Sequence, residues 1–190
     1  MEHINNTLQP NTWIEQYADM LFSFALNRTS NVVIAKDLVQ DTFLSALKNL
    51  STFKGEVSEK NWLFTILKNK IIDYYRSNAR TLSSDINELV EESNSFFDEE
   101  ENWQPQFRPQ QWEIDYTQEI ETKEFYEILE MCKQKLTELQ SAVFTMKYLD
   151  DFDADEICKE LGISSSNYWV LIHRAKLQLR HCLEKNWIQN

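Results

Sequence analysis

Residues 58–80, SEKNWLFTILKNKIIDYYRSNAR, decide how this chain folds. Leu63, Ile66, Leu67, Ile71 and Tyr74 recur at the three- and four-residue spacing of one helix face. Ser58 stands in front of them as an N-cap, and the stretch contains neither Gly nor Pro. Asn61, Thr65, Lys68, Asn69, Arg76 and Arg80 form the outer stripe, and at the C-terminal end Lys68, Lys70, Arg76 and Arg80 oppose the single Asp73. The whole chain carries a net charge of -12. Local basicity against so acidic a background is the electrostatic footprint of a surface that meets phosphate. The stretch reads as an amphipathic helix whose basic end touches nucleic acid.

Working outward, the 190 residues suit one ordinary domain or two small ones, and 42% hydrophobic content with six Trp and eleven Phe supplies packed cores. Two Gly and three Pro leave little turn chemistry for hairpins, which favours an all-α fold. No apolar run reaches the roughly 18 residues of a membrane span. The start, MEHINNTLQP, lacks a basic region followed by an apolar one, so no membrane insertion and a cytoplasmic location are expected. Cys132, Cys158 and Cys182 are odd in number and scattered, which reads as reduced, mostly buried thiols. There is no Gly-rich phosphate loop, spaced Cys/His set or nucleophile triad, and His173, His181 and Cys182 do not converge. No catalytic residue, metal or cofactor is expected.

Charge divides the chain. Residues 11–80 carry a net +2 and residues 123–190 a net -2, whereas residues 81–122 carry -11. That middle segment also holds Pro105, Pro109 and a Ser/Asn-rich run, the composition of a linker. Two helical domains, 11–80 and 123–190, are expected on either side of it.

The first domain reads as three helices. One runs from about Thr12 to Asn27, burying Trp13, Tyr17, Leu21, Phe24 and Ala25. A second runs from about Val33 to Leu50, capped by Asn31 or a neighbour, with Val39, Phe43, Ala46, Leu47 and Leu50 inward. Asp37, Gln40, Asp41, Leu44 and Lys48 share another face of it. A leucine among acids suggests a docking surface, although a solvated face with one stray Leu explains it equally well.

In the second domain, Thr137-Glu-Leu-Gln140 and Asp153-Ala-Asp-Glu156 are capping boxes that each open a helix. Gly162 supplies a left-handed turn after Leu161, and Ser164 caps a long final helix to about Glu184. A short helix, a turn and a longer helix make a helix-turn-helix. On the last helix Tyr168, Ile172, Ala175, Leu179 and Leu183 should pack inward, with Ser166, Asn167, Val170, His173 and Arg174 on the opposite arc.

The run DLVQDTFLSALKNLSTFKGEVSEKNWLFTILKNKIIDYYR resembles region 2 of the extracytoplasmic-function group of bacterial sigma factors, with Trp62-Leu63-Phe64, Ile66, Asn69, Asp73 and Arg76 in the family's spacing. The helix-turn-helix resembles sigma region 4. The resemblance implies docking on bacterial core RNA polymerase through Asp37, Gln40, Asp41 and Leu44. It implies minus-ten promoter contact through Asn61, Lys68, Asn69, Arg76 and Arg80, and the loop residues Thr52, Phe53 and Lys54 are candidates for the pocket of an unstacked base. Trp62, flanked by buried positions, reads as a core anchor rather than a stacking platform. Minus-thirty-five contact falls to Ser164, Ser165, Ser166, Asn167, Val170, His173, Arg174, Lys176 and Arg180. Arg174 is the expected base or phosphate contact, and Lys176 and Arg180 hold backbone phosphates. Such factors are commonly held by an anti-sigma factor. An alternative sigma factor, bridging core polymerase to promoter DNA, is therefore expected.

Two readings stay open at this point. Trp169 and Leu171 stand where the family commonly places Lys and Arg, and Trp169 suits thymine methyls, a neighbouring helix or an inhibitory partner. The acidic segment suits either a docked strand, favoured by Trp103, Phe107 and Trp112, or a solubilising tether. A dimeric helix-turn-helix regulator acting without polymerase would explain the second domain and leave the first without a task.

Overall fold

The computed structural model describes residues 8–82, 104, 105, 108 and 121–188, and every regular element among them is helical. The chain divides into two units, Met1–Tyr74 and Tyr75–Asn190. Most of the acidic segment 81–122, with Trp103, Phe107 and Trp112, lies outside the described residues. No helix among the described residues is long and apolar enough to cross a membrane.

In the first unit a two-residue link joins α1 (Trp13–Thr29) to α2 (Val32–Lys48). Ser30 adopts the left-handed conformation at φ 49° and returns its N–H to the Leu26 carbonyl at 2.8 Å. Asn31 then caps α2, accepting from the Val33 and Ile34 amides at 2.9 and 3.2 Å. So short a link makes the two helices packing neighbours. Trp13, fully buried, stacks on Phe43 of α2 with ring centroids 6.4 Å apart. It also meets Trp62 of α3 (Glu59–Leu82) edge-on at 6.2 Å.

Glu59, in the first turn of α3, ties the start of the chain to that helix. Its carboxylate accepts from the Trp13 indole N–H, from the Tyr17 hydroxyl at 3.2 Å and from the Gln9 amide at 2.6 Å. Burial pushes the Tyr17 phenol up from its ordinary pKa, and the Glu59 charge adds to the rise.

Two expected core residues of α2 lie outside. Leu47 is 46% and Leu50 37% exposed, and Ala35, Leu38 and Thr42 are buried instead. Leu47 sits one residue past the buried Ala46 and is rotated off the inward stripe, while Leu50 falls beyond the helix in a 3-10 turn. On α3 the buried line steps by four through Leu63, Leu67, Ile71, Tyr75 and Ala79, so Tyr75 is buried and Tyr74 only half-buried.

The second unit holds α4 (Glu121–Lys133), α5 (Glu138–Tyr148), α6 (Ala154–Leu161) and α7 (Ser165–Leu183). Both capping boxes form. Thr137 and Gln140 exchange bonds at 2.9 and 3.3 Å, and Asp153 and Glu156 at 2.9 and 2.7 Å. Gly162 ends α6 at φ 67°, and Ser164 caps α7 by accepting from the Asn167 amide at 3.2 Å. Leu139, Val143, Met146, Ile157, Leu161 and Tyr168 fill the core between α5, α6 and α7.

The cysteines depart from the thiol reading. Cys132 of α4 and Cys182 of α7 form a disulfide, with Cα atoms 5.8 Å apart. Their separation of 50 residues conceals that α4 packs along α7, where Cys132, Leu136, Ala175, Leu179, Cys182 and Leu183 make one apolar cluster. Cys158 is a half-buried free thiol, and burial followed by the Asp155 charge pushes its pKa up.

Candidate nucleic-acid and protein interfaces

The four expected docking residues, Asp37, Gln40, Asp41 and Leu44, are all exposed on α2, with Leu44 at 54%. Lys70 of α3 approaches Asp41, Nζ to Oδ2, at 3.9 Å. An ion pair that long and that wet contributes little to stability. Leu44 is not a stray leucine, because Leu47 and Leu50 follow it at three-residue steps and are exposed with it. Carboxylates repel phosphate, so an acidic and apolar strip suits a protein partner rather than nucleic acid. Gln40 also lines an open groove of about 370 Å³ beside Ile14, Phe22, Val39 and Phe43 of α1 and α2.

On α3 and the loop before it, Thr52, Lys54, Asn61, Lys68 and Asn69 are exposed and Arg76 is half-buried. The Arg80 side chain lies outside the described residues. Asn61 sits where its amide donates to Ser58 Oγ at 3.3 Å, the expected cap. The Thr52 hydroxyl donates to the Asn49 carbonyl at 2.7 Å, which holds the loop in its turn. Phe53 is half-buried with its ring 5.2 Å from Trp62, and Trp62 is braced on its other side by Trp13. Trp62 is thus half-buried between the Trp13 and Phe53 rings, and Phe53 offers only part of its ring.

On α7 the inward arc of Tyr168, Ile172, Ala175 and Leu179 is buried as expected, together with Leu171. Leu171 is thus a packing residue. Ser164, Ser165, Ser166, Val170, His173 and Lys176 are exposed, while Asn167, Arg174 and Arg180 are half-buried at the flanks. Burial lowers the Arg174 pKa from its ordinary value. Arg180 pairs with Glu184 at 2.8 Å, and Lys176 lies over the Tyr148 ring, 5.4 Å from its centroid. The most exposed large apolar residue of the helix is Trp169, at 61%. With the buried Tyr168 as reference, Trp169, His173, Lys176 and Arg180 follow at i, i+4, i+7 and i+11 and share one outward stripe. The same count can be made from the sequence alone and puts Trp169 on the outward face. No Asp or Glu occurs in α7.

A helical unit with an exposed acidic and apolar strip, followed by a helix-turn-helix whose second helix carries no acid, suits a DNA-binding protein that also engages a protein. Residues 13–81 match the sigma-70 region 2 family and residues 126–179 the sigma-70 region 4 family. A probable RNA polymerase sigma factor of Haemophilus influenzae is 38% identical over 172 residues, covering 90% of this chain and 88% of that protein. The sigma factor YlaC of Bacillus subtilis is 28% identical over 171 residues, covering 90% of each. A crystal structure of sigma factor RpoE from Bartonella quintana, in complex with the anti-sigma factor NepR, covers 93% of this chain and 97% of that chain at 22% identity and a TM-score of 0.43. The chain belongs to the sigma-70 family of RNA polymerase sigma factors. As an alternative sigma factor it binds core RNA polymerase and directs promoter-specific transcription initiation.

Proposed function

We propose a division of labour among three faces. The α2 strip of Asp37, Gln40, Asp41 and Leu44 docks on core polymerase. The loop residues Thr52, Phe53 and Lys54, with Asn61, Lys68, Asn69, Arg76 and Arg80 of α3, hold the backbone and an unstacked base of the opened minus-ten element. The start of α7, from Ser164 through Arg174, enters the major groove of the minus-thirty-five element, with Lys176 and Arg180 on flanking phosphates. Residues 11–80 and 123–190 act as separate promoter-binding domains, and residues 81–122 tether them. The protein works in the cytoplasm under an anti-sigma factor, the regulator its family resemblance implies. It contributes no bond-making group, since nucleotide addition belongs to the polymerase.

The observation that carries this reading is the sorting of charge. In a chain of net -12, α7 has no acidic residue, while the exposed acids of α2 gather around Leu44. Run-off transcription with bacterial core enzyme on promoters of randomised sequence tests it. The protein should confer start-site selection, and Asp41→Lys should abolish co-elution with core enzyme while circular dichroism stays unchanged. A charge-reversed variant that still co-elutes would remove the docking assignment. Core enzyme that starts no differently with and without the protein would remove the whole reading.

A further inference from the structure

We propose that Trp169 is a specificity-determining residue that reads the C5-methyl group of a thymine in the minus-thirty-five duplex. The inference rests on the assignment of α7 as the recognition helix and adds a reader that the family pattern of early Lys and Arg does not contain.

Four observations support it. Trp169 is 61% exposed in the second turn of α7, the part of a recognition helix that reaches base edges. Its ring stands edge-on against the buried Tyr168, with centroids 5.1 Å apart, so the indole is propped on a fixed base. Val170, 40% exposed, extends the apolar surface beside it. Along the helix, exposed Ser165 and Ser166 precede this surface and exposed His173 and Lys176 follow it.

Charge decides what covers the patch. An apolar spot preceded by exposed hydroxyls and followed by an exposed lysine, on a helix free of carboxylates, complements a polyanion carrying an apolar feature. In the major groove of duplex DNA the thymine methyl is that feature, and it is read by apolar contact. A protein partner would need acidic residues ringing an apolar pocket to fit the same place. The neighbouring Leu171 takes no part, because it is 3% exposed.

The test uses the full chain bound to core polymerase and a promoter selected from a randomised library. Each thymine of the minus-thirty-five element is replaced in turn by uracil, which keeps base pairing and removes only the methyl group. Wild-type holoenzyme should lose about fourfold in affinity at one position, the value of one buried methyl. Holoenzyme carrying Trp169→Ala should bind the thymine duplex about fourfold or more weakly and be indifferent to uracil there, while Trp169→Phe keeps part of the discrimination. Because Trp169 is exposed, the alanine variant should retain its helical content, which circular dichroism checks.

A wild-type holoenzyme that uses the promoter but ignores every thymine-to-uracil change would overturn the inference and leave the proposed function standing. An alanine variant that keeps the same uracil penalty would assign the methyl to another residue and overturn it as well. If wild type shows no dependence on the minus-thirty-five element at all, the recognition-helix assignment fails and the inference falls with it. Unaltered DNA binding by the alanine variant, coupled with release from an anti-sigma factor, would move Trp169 to a protein interface.

Discussion

Breaking the Cys132–Cys182 bond should unmake most of the stability of the second unit and none of the first. The bond joins residues 50 apart. Linking ends at that separation removes denatured-state entropy worth about 4 kcal/mol at 25 °C. Native contacts offset little of this on reduction, because both sulfurs lie in the apolar cluster of Leu136, Ala175, Leu179 and Leu183, where a thiol packs as a small hydrophobe. In a unit of this size each kcal/mol moves the midpoint by about 4–8 °C, so reduction should lower its melting by about 15–30 °C. The first unit contains no cysteine and serves as an internal reference.

Calorimetry or circular dichroism, with and without reductant, gives the two transitions. Alkylation followed by mass measurement confirms the state of each cysteine. Thiol counting in denaturant without reductant should find one reactive group, Cys158, rather than three. A count of three would show that the bond is not made. A bond demonstrably reduced, with a midpoint shift under about 5 °C, would refute the entropy argument, since the loop length alone demands more.

Other outcomes follow from single residues. Glu59→Ala should destabilise the first unit by about 2–3 kcal/mol in urea titration, because it strands the buried Trp13 indole N–H and two further donors. A loss near zero would mean that water replaces the carboxylate. The two left-handed caps should respond with opposite signs. Gly162→Ala should cost about 1 kcal/mol although its Cβ meets nothing within 4 Å, and Ser30→Gly should stabilise by up to about 1 kcal/mol, since its buried hydroxyl has no partner in the described structure. Equal effects of one sign would show that backbone conformation is not what these positions select. Iodoacetamide alkylation of Cys158 in the oxidised protein should rise with pH through a midpoint above that of an ordinary thiol, as burial and Asp155 disfavour the thiolate. A midpoint at or below the ordinary value would contradict that environment.

The parts of this molecule legible in its sequence are those set by short-range physics. Asn31, the two capping boxes, Gly162 and Ser164 each act on amides within four residues, and each lies where the local pattern demands. Period counting found the buried arc of α7 for the same reason. The largest departures are long-range. Glu59 gathers donors from Gln9, Trp13 and Tyr17, as many as 50 residues away, and no local rule points to it. The disulfide spans an equal separation. Leu47 and Leu50 escape the helical count because Leu47 is one step off the inward phase and Leu50 lies past the end of α2.

Trp169 and Leu171 show how a functional reading depends on that phase. Both stand where the family commonly carries cations, and taken together they look like one loss of DNA-binding charge. Two residues apart on a helix is a rotation of about 200°, which places them on opposite sides. Leu171 faces Tyr168 and Ile172 in the core, so no cation can be lost from a surface it never occupied. Trp169 alone of the two is exposed, in a stripe with His173, Lys176 and Arg180. The helix thus carries an exposed apolar side chain together with the cations Arg174, Lys176 and Arg180. Phosphate contacts of that kind hold position on the duplex without reading sequence, and an apolar contact to a base edge reads sequence without adding charge. Salt dependence should therefore be carried by Lys176 and Arg180, and base preference by Trp169. Measuring both quantities on the same set of alanine variants separates the two roles.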